Sequence, residues 1–180
     1  EFVGARLAID HLHSLGHRAI AHVSGGSGAG AADRKAAYTA AMAGLGLKAQ
    51  VDIIPGDFTE ASGHAAARAL LKRKSLPTAV LAANDLVAVG MIAEFRAAGV
   101  GVPSDISIVG YDNSALSGLS LVSLTTVQQP LTALGAQATR LMLERLQGRT
   151  TTEVLELAPT LVVRDSTAAP RSKAQRTTSR

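Results

Sequence analysis

The chain has 180 residues, of which 47% are hydrophobic, 18% charged and 3% aromatic, with no cysteine. Such a chain builds one globular domain or one and a fraction. It has no disulfide framework, no cysteine metal site and no apolar run of the ~18 residues needed for a membrane span. The formal net charge of +4 is unevenly spread: from Arg164 onward there are five basic residues and one acidic, which leaves 13 of each in residues 1–163. A neutral body argues against a basic nucleic-acid footprint. The Ser/Thr/Ala/Pro-rich stretch 168–180 reads as a disordered basic tail.

Helical spacing runs from about Val3 to Leu15 and stops at Gly16, a suitable C-terminal glycine. The first residue is Glu rather than Met and the helical pattern is already under way, so the chain reads as a piece of a longer protein. A short strand is expected at 18–24 (RAIAHVS), followed by the glycine-rich run Gly25 to Gly30 and an Ala-rich helix from about Asp33 to Leu45. A second strand at 51–56 turns through Asp57, Phe58 and Thr59 into a helix reaching about Lys74. Pro77 precedes a third strand, 78–83, and a helix runs from Asp85 to Ala98, ended by Gly99. A fourth strand is expected at 105–111. These strands are nearly continuous apolar runs, the mark of a sheet covered on both faces, and strand and helix alternate four times. The fold class is α/β, a doubly wound parallel sheet.

The alternation then breaks. Residues 113–123 show no clear period, 124–129 read as extended, and Pro130 opens a helix over 131–147. Two short extended runs follow, 153–157 and 160–163, split by Pro159. A helix and strands after a completed α/β unit suggest part of a second lobe.

Four strand ends face one edge, at Ser24/Gly25, Asp57/Phe58, Asn84/Asp85 and Asp112/Asn113. Ligands bind outside the carboxyl ends of strands in open α/β sheets, and helix N-termini add unpaired N–H groups there. Asn, Asp and Arg supply paired donors and acceptors suited to a polyhydroxyl ligand. Each residue also has a plainer explanation: Asn84 as a helix cap, Asp85 as a complement to the helix dipole, Asp112 as a turn residue. Arg34 stands near a helix start, where a cation is disfavoured and needs a partner or a ligand. Phe58 either stacks on a ring-shaped ligand or plugs the core.

Rival chemistries find less support. The glycine run matches only the first two glycines of a dinucleotide fingerprint, with Asp52 or Asp57 near the place of a ribose-binding acid. No Gly-Lys-Ser/Thr phosphate loop is present. The sequence Gly25-Gly-Ser27-Gly-Ala29 lacks the last glycine of a nucleophile elbow. His11, His13, His17, His22 and His64 form no metal set, since Gly16 interrupts the i,i+4 pair His13/His17.

At Asn84-Asp85-x-x-Ala88-x-Gly90, and again at Gly99-Val-Gly-Val-Pro103-x-Asp105-Ile-Ser-Ile-Val-Gly110-Tyr-Asp112, the chain resembles the LacI/GalR family of bacterial transcription regulators. Leu124-Thr-Thr-Val-x-Gln-Pro130 and Leu161-Val-Val-Arg164-x-Ser-Thr167 extend the likeness. Upstream, His11-Leu-x-x-Leu-Gly-His17-Arg-x-Ile20 and Arg34-x-x-x-Tyr38 fit it too. The resemblance covers about 1–167 and implies a periplasmic-binding-protein-like effector core. Residues 1–128 and 159–167 would form its C-terminal lobe and 130–157 a fragment of the N-terminal lobe, with the DNA-binding headpiece missing.

By the same likeness, Arg34, Asn84, Asp112, Phe58 and Gln129 would bind a small-molecule effector such as a sugar. Leu86, Val87, Val89, Gly90, Met91, Leu116 and Leu119 would lie on a homodimer face. The resemblance implies no enzyme activity and no cofactor, a cytoplasmic protein, and operator DNA reached only through the missing headpiece. The loop from Gly25 to Ala32 departs from the family in offering mostly glycine and alanine. A periplasmic sugar-binding protein of a transport system is the alternative, and an α/β enzyme using the glycine loop a further one.

Overall fold

A computed structural model describes residues 1–171. Helix α1, Phe2–Ser14, leads into strand β1, Ile20–Val23; then come α2, Ala31–Gly44, and β2, Asp52–Ile54. Helix α3, Glu60–Leu71, precedes β3, Ala79–Ala82; α4, Asp85–Ala97, precedes β4, Ser107–Asp112. Two 3-10 turns intervene, Lys48–Gln50 before β2 and Ala115–Gly118 before β5, Thr125–Gln128; α5, Leu131–Leu146, and β6, Thr160–Val162, complete the order. The six strands run β2-β1-β3-β4-β5-β6. The first five are parallel, and β6 lies antiparallel to β5. This is the doubly wound sheet expected from the strand–helix alternation, with β5 as a fifth parallel strand.

Two apolar layers hold it. Ala5, Ile9, Leu12, Tyr38 and Met42 of α1 and α2 pack on Ile20, Leu81 and Val109 on one face. Leu70, Val87, Met91 and Phe95 of α3 and α4 pack on Val23, Val80 and Ile108 on the other. Helices α3 and α4 touch backbone to backbone: a Cβ at Gly63 would strike the Val87 carbonyl, and one at Gly90 the Glu60 carbonyl. Small residues are required there because the helices cross too closely for side chains.

The segment after β6 closes the bottom of the sheet. Ser166 is 2% exposed; its hydroxyl donates to the Ile108 carbonyl at 2.6 Å and accepts from the Thr125 amide at 2.8 Å, bridging β4 and β5. Docking continues past residue 167. The Ala168 amide donates to the Ser107 hydroxyl at 3.1 Å, its carbonyl lies 2.8 Å from His17 Nε2, and Arg171 pairs with Asp105. The expected disordered tail therefore does not begin at 168; its remainder, 172–180, lies outside the described residues.

Helix α5 has no buried residue. Its polar side is tied by Arg140 to Glu144 and Glu153. Leu131, Leu134, Met142, Leu143 and Leu146 are exposed, as are Val154 and Leu155 beyond it. The stretch 153–157, expected to be extended, pairs with no strand.

Candidate functional site

The carboxyl ends of β3, β4 and β5 lie side by side, and residues at or after the ends of all five parallel strands, with Glu1, line an open cavity of about 460 Å³. Arg34, Phe58, Asn84, Asp112 and Gln129, picked out separately along the sequence, all line it, together with Glu1, Ala29 and Gly30.

Arg34 is the fourth residue of α2 and only 5% exposed. Near a helix N-terminus its charge opposes the macrodipole, so compensation must come from elsewhere. Nε donates to Glu1 Oε2 at 2.9 Å, Nη2 to Glu1 Oε1 at 3.2 Å, and Nη1 to the Ala83 carbonyl. The guanidinium carbon stands 3.7 Å from the Tyr111 ring centre and 5.6 Å from that of Phe58. Burial pushes the Glu1 carboxyl up, but the hydrogen bonds and Coulomb attraction to Arg34 outweigh that and hold it below the usual carboxylate range.

Asn84 serves two structures at once. Its Oδ1 accepts from the Val87 amide at 2.9 Å, capping α4, and its Nδ2 donates to the Phe58 carbonyl at 2.9 Å. The cap stabilises the helix start; the second bond fixes the β2–α3 loop over the cavity and leaves one amide N–H. Phe58 itself has a φ of 67°, a left-handed conformation that costs a non-glycine residue on the order of 1 kcal/mol or more. Its ring lies on Gly25 and Gly28, where any Cβ would collide with it. Gly25 and Gly28 thus seat an aromatic ring, and Gly26 and Gly30 adopt positive φ.

Asp112 has a φ of 107°. Its partner follows from register: Asp112 faces Gln128 in the β4–β5 ladder, so the next residue, Gln129, reaches Asp112 Oδ1 with its amide at 2.6 Å. Burial raises the Asp112 pKa. Asp85, beside Asn84, does a different job. It is 1% exposed and accepts from the Ser114 amide and the Thr126 hydroxyl, both at 2.6 Å. It ties α4 to the loop after β4 and to β5.

His22 lies beneath α2, fully buried, its ring centre 5.2 Å from that of Tyr38. Nδ1 is 2.9 Å from the Leu81 carbonyl; a carbonyl only accepts, so Nδ1 carries the proton. Nε2 has no partner. Burial pulls the imidazole down to about 4.

The expected dimer residues divide. Leu86, Leu116 and Leu119 are exposed and Val89 is half-buried. Val87 and Met91 are fully buried in their own core and Gly90 packs against α3, so these three cannot present a side chain to a partner. Helical spacing alone did not show which side of α4 the sheet and α3 had already covered.

A second cavity of about 340 Å³ opens at the opposite end of the sheet, lined by Ala19, Asp52, Arg73 and Pro77 among others. Of its three charged residues, Asp52, Arg73 and Lys74, the first two pair with each other. Among the described residues no cluster of His, Asp or Glu could hold a metal ion.

Sequence reasoning missed Glu1 and Tyr111 as parts of the site. Glu1 gave no signal beyond being acidic ahead of a helix. Tyr111 stood inside a recognised motif, but nothing in a linear pattern announces a ring under a guanidinium.

A five-strand parallel sheet with its cavity at the carboxyl edge defines a ligand-binding lobe, and the chain belongs to the periplasmic binding protein-like domain family, which matches residues 9–167. Within it, the relatives are LacI-family transcription regulators. The chain is 37% identical over 166 residues to the HTH-type transcriptional repressor PurR of Photobacterium profundum, covering 91% of this chain and 50% of that protein. A LacI transcriptional regulator from a Rhodococcus species superposes with a TM-score of 0.89 at 40% identity, over 93% of this chain and 62% of that one. A LacI-family regulator of Enterococcus faecium with bound ribose gives 0.85 at 32%, over 94% and 64%. The Lac repressor dimer bound to operator and the anti-inducer ONPF gives 0.85 at 32%, over 92% and 58%. The chain spans about half the length of the curated relatives it matches. These relatives are named as regulators, and the transport-protein alternative is not favoured. No described helix is long and apolar enough to cross a membrane.

Proposed function

We propose that this chain is the effector-binding and dimerisation part of a cytoplasmic LacI-type transcription regulator, and that its effector is an uncharged, hydroxyl-rich small molecule such as a sugar. The observation that carries the reading is the convergence of Arg34, Phe58, Asn84, Asp112 and Gln129 on one cavity. Phe58 offers a ring face. Asp112 Oδ2, the remaining Arg34 N–H groups and the Asn84 amide offer acceptors and donors around it. The regulator with bound ribose shares the fold, which agrees with a sugar as ligand.

Exposed Leu86, Leu116 and Leu119 form the partner face, in keeping with the dimeric Lac repressor. The arm 130–157 is a fragment of the second lobe, and the apolar side of α5 is the face that the rest of that lobe covers. DNA is contacted through a headpiece outside these residues. An effector with different affinity for two settings of the lobes shifts their populations, and that difference is the regulatory signal.

The test is thermal unfolding of the chain against a panel of neutral sugars and nucleobases. A true ligand raises stability by mass action. At least one compound is expected to raise the midpoint, and Arg34→Ala and Asp112→Ala are each expected to abolish the rise. A panel with no effect, or a rise that survives in both variants, removes the assignment.

A further inference from the structure

The proposed effector site contains a carboxylate that its five sequence-derived residues do not include. Glu1 grips the Arg34 fork with both oxygens, at 2.9 and 3.2 Å, and lines the cavity. Its side chain is 22% exposed against 6% for Arg34. A guanidinium fork is the usual receptor for the carboxylate or phosphate of a ligand, bound in this same two-pronged way. Here the receptor already holds an internal anion.

The charges around the cavity can be compared. Arg34 contributes one positive charge, and Glu1 and Asp112 one negative charge each. The start of α2 opens on the cavity through Ala29 and Gly30 and supplies about half a positive charge. The Ala31 and Arg34 amides of that end already donate to the Gly28 and Gly30 carbonyls. Asp85 in the first turn of α4 offsets the dipole of that helix. Glu1 pairs directly with the Arg34 fork, so a ligand anion would have to displace an internal carboxylate that already holds both prongs.

We propose that Glu1 is a specificity-determining residue of this site, an internal counter-ion that occupies Arg34 and reserves the cavity for uncharged ligands, excluding phosphorylated or carboxylated ones. The proposal rests on the cavity being the effector site. Its test reads the freedom of Arg34 alone, so it stands apart from the search for a neutral ligand.

Inorganic sulfate is the probe, titrated to about 10 mM at constant ionic strength during thermal unfolding of the 180-residue chain. The wild-type midpoint is expected to stay in place. Glu1→Gln keeps a hydrogen-bonding amide but frees the guanidinium charge, and its midpoint is expected to rise by about 3 °C. The double variant Glu1→Gln/Arg34→Gln is expected to lose that rise. Far-UV circular dichroism checks that each variant is folded, and Glu1→Ala serves as a second variant with the same expected gain. No gain in either Glu1 variant, an equal gain in the wild type, or a gain that persists without Arg34 overturns the proposal. If no neutral compound stabilises the wild type while the sulfate pattern holds, the effector reading fails and the counter-ion role stands.

Discussion

Helices α4 and α5 are built from similar residues and meet opposite fates. Seven of the 13 residues of α4 are buried, and none of the 16 in α5. An apolar stripe states that a helix face wants cover. It does not state who provides it. For α4 the cover is the sheet and α3, both close in sequence; for α5 the described residues supply none. The body and the arm thus test how far a local pattern can be trusted.

The largest contrast is expected in the core. Phe95→Ala in α4, with a side chain fully buried, is expected to cost about 3–5 kcal/mol of unfolding free energy. Leu146→Ala at the end of α5, 78% exposed, is expected to cost less than about 0.5 kcal/mol. Urea denaturation measures both, and equal losses would make the arm part of the packed body.

Acid is expected to attack the body next. The His22 imidazole is held down to about 4 in the fold against 6.5 when unfolded. Between those values the unfolded chain takes up the proton and the folded chain does not, so stability rises with pH there. The His22 contribution is complete above pH 6.5 and is lost as pH falls toward 4, by about 3 kcal/mol for a shift of that size. Thermal midpoints measured across this window are expected to flatten in His22→Gln. An undiminished slope in that variant would place the acid sensitivity elsewhere.

The smallest effect sharpens the same contrast. Leu143→Glu on the exposed side of α5 is expected to shift unfolding free energy by less than about 0.5 kcal/mol while reducing binding of a hydrophobic dye. A loss well above that value would show that α5 is covered in solution by something in this chain.

Strands and their carboxyl edge were legible because a strand buried on both faces leaves a continuous apolar run, and a polar residue at its end is conspicuous. That logic found Asn84 and Asp112 from single positions, and Arg34 stood out as a cation near a helix start. The same logic could not separate Asn84, which lines the cavity, from Asp85, which fastens Ser114 and Thr126. Adjacent residues at a helix start point in different directions, and only the neighbours decide which is structural. The glycine run was weighed as a partial dinucleotide fingerprint, and the ring that lies on Gly25 and Gly28 comes from Phe58, about 30 positions away. The antiparallel β6 and the pairing of Gln129 with Asp112 depend on register between distant segments. Glu1 depended on proximity alone, with no spacing to betray it.

The arm is anchored in an unusual way. Gln128 and Thr160 share a rung of the β5–β6 ladder, so its two tethers are fixed one strand spacing apart, about 4.8 Å. Tethers so close resist sliding and permit a swivel. Gln129 is the first residue of the outgoing tether, and its amide is bonded to the Asp112 carboxylate. Turning the arm would therefore pull on that bond, so that torque from outside is felt at a carboxylate lining the cavity.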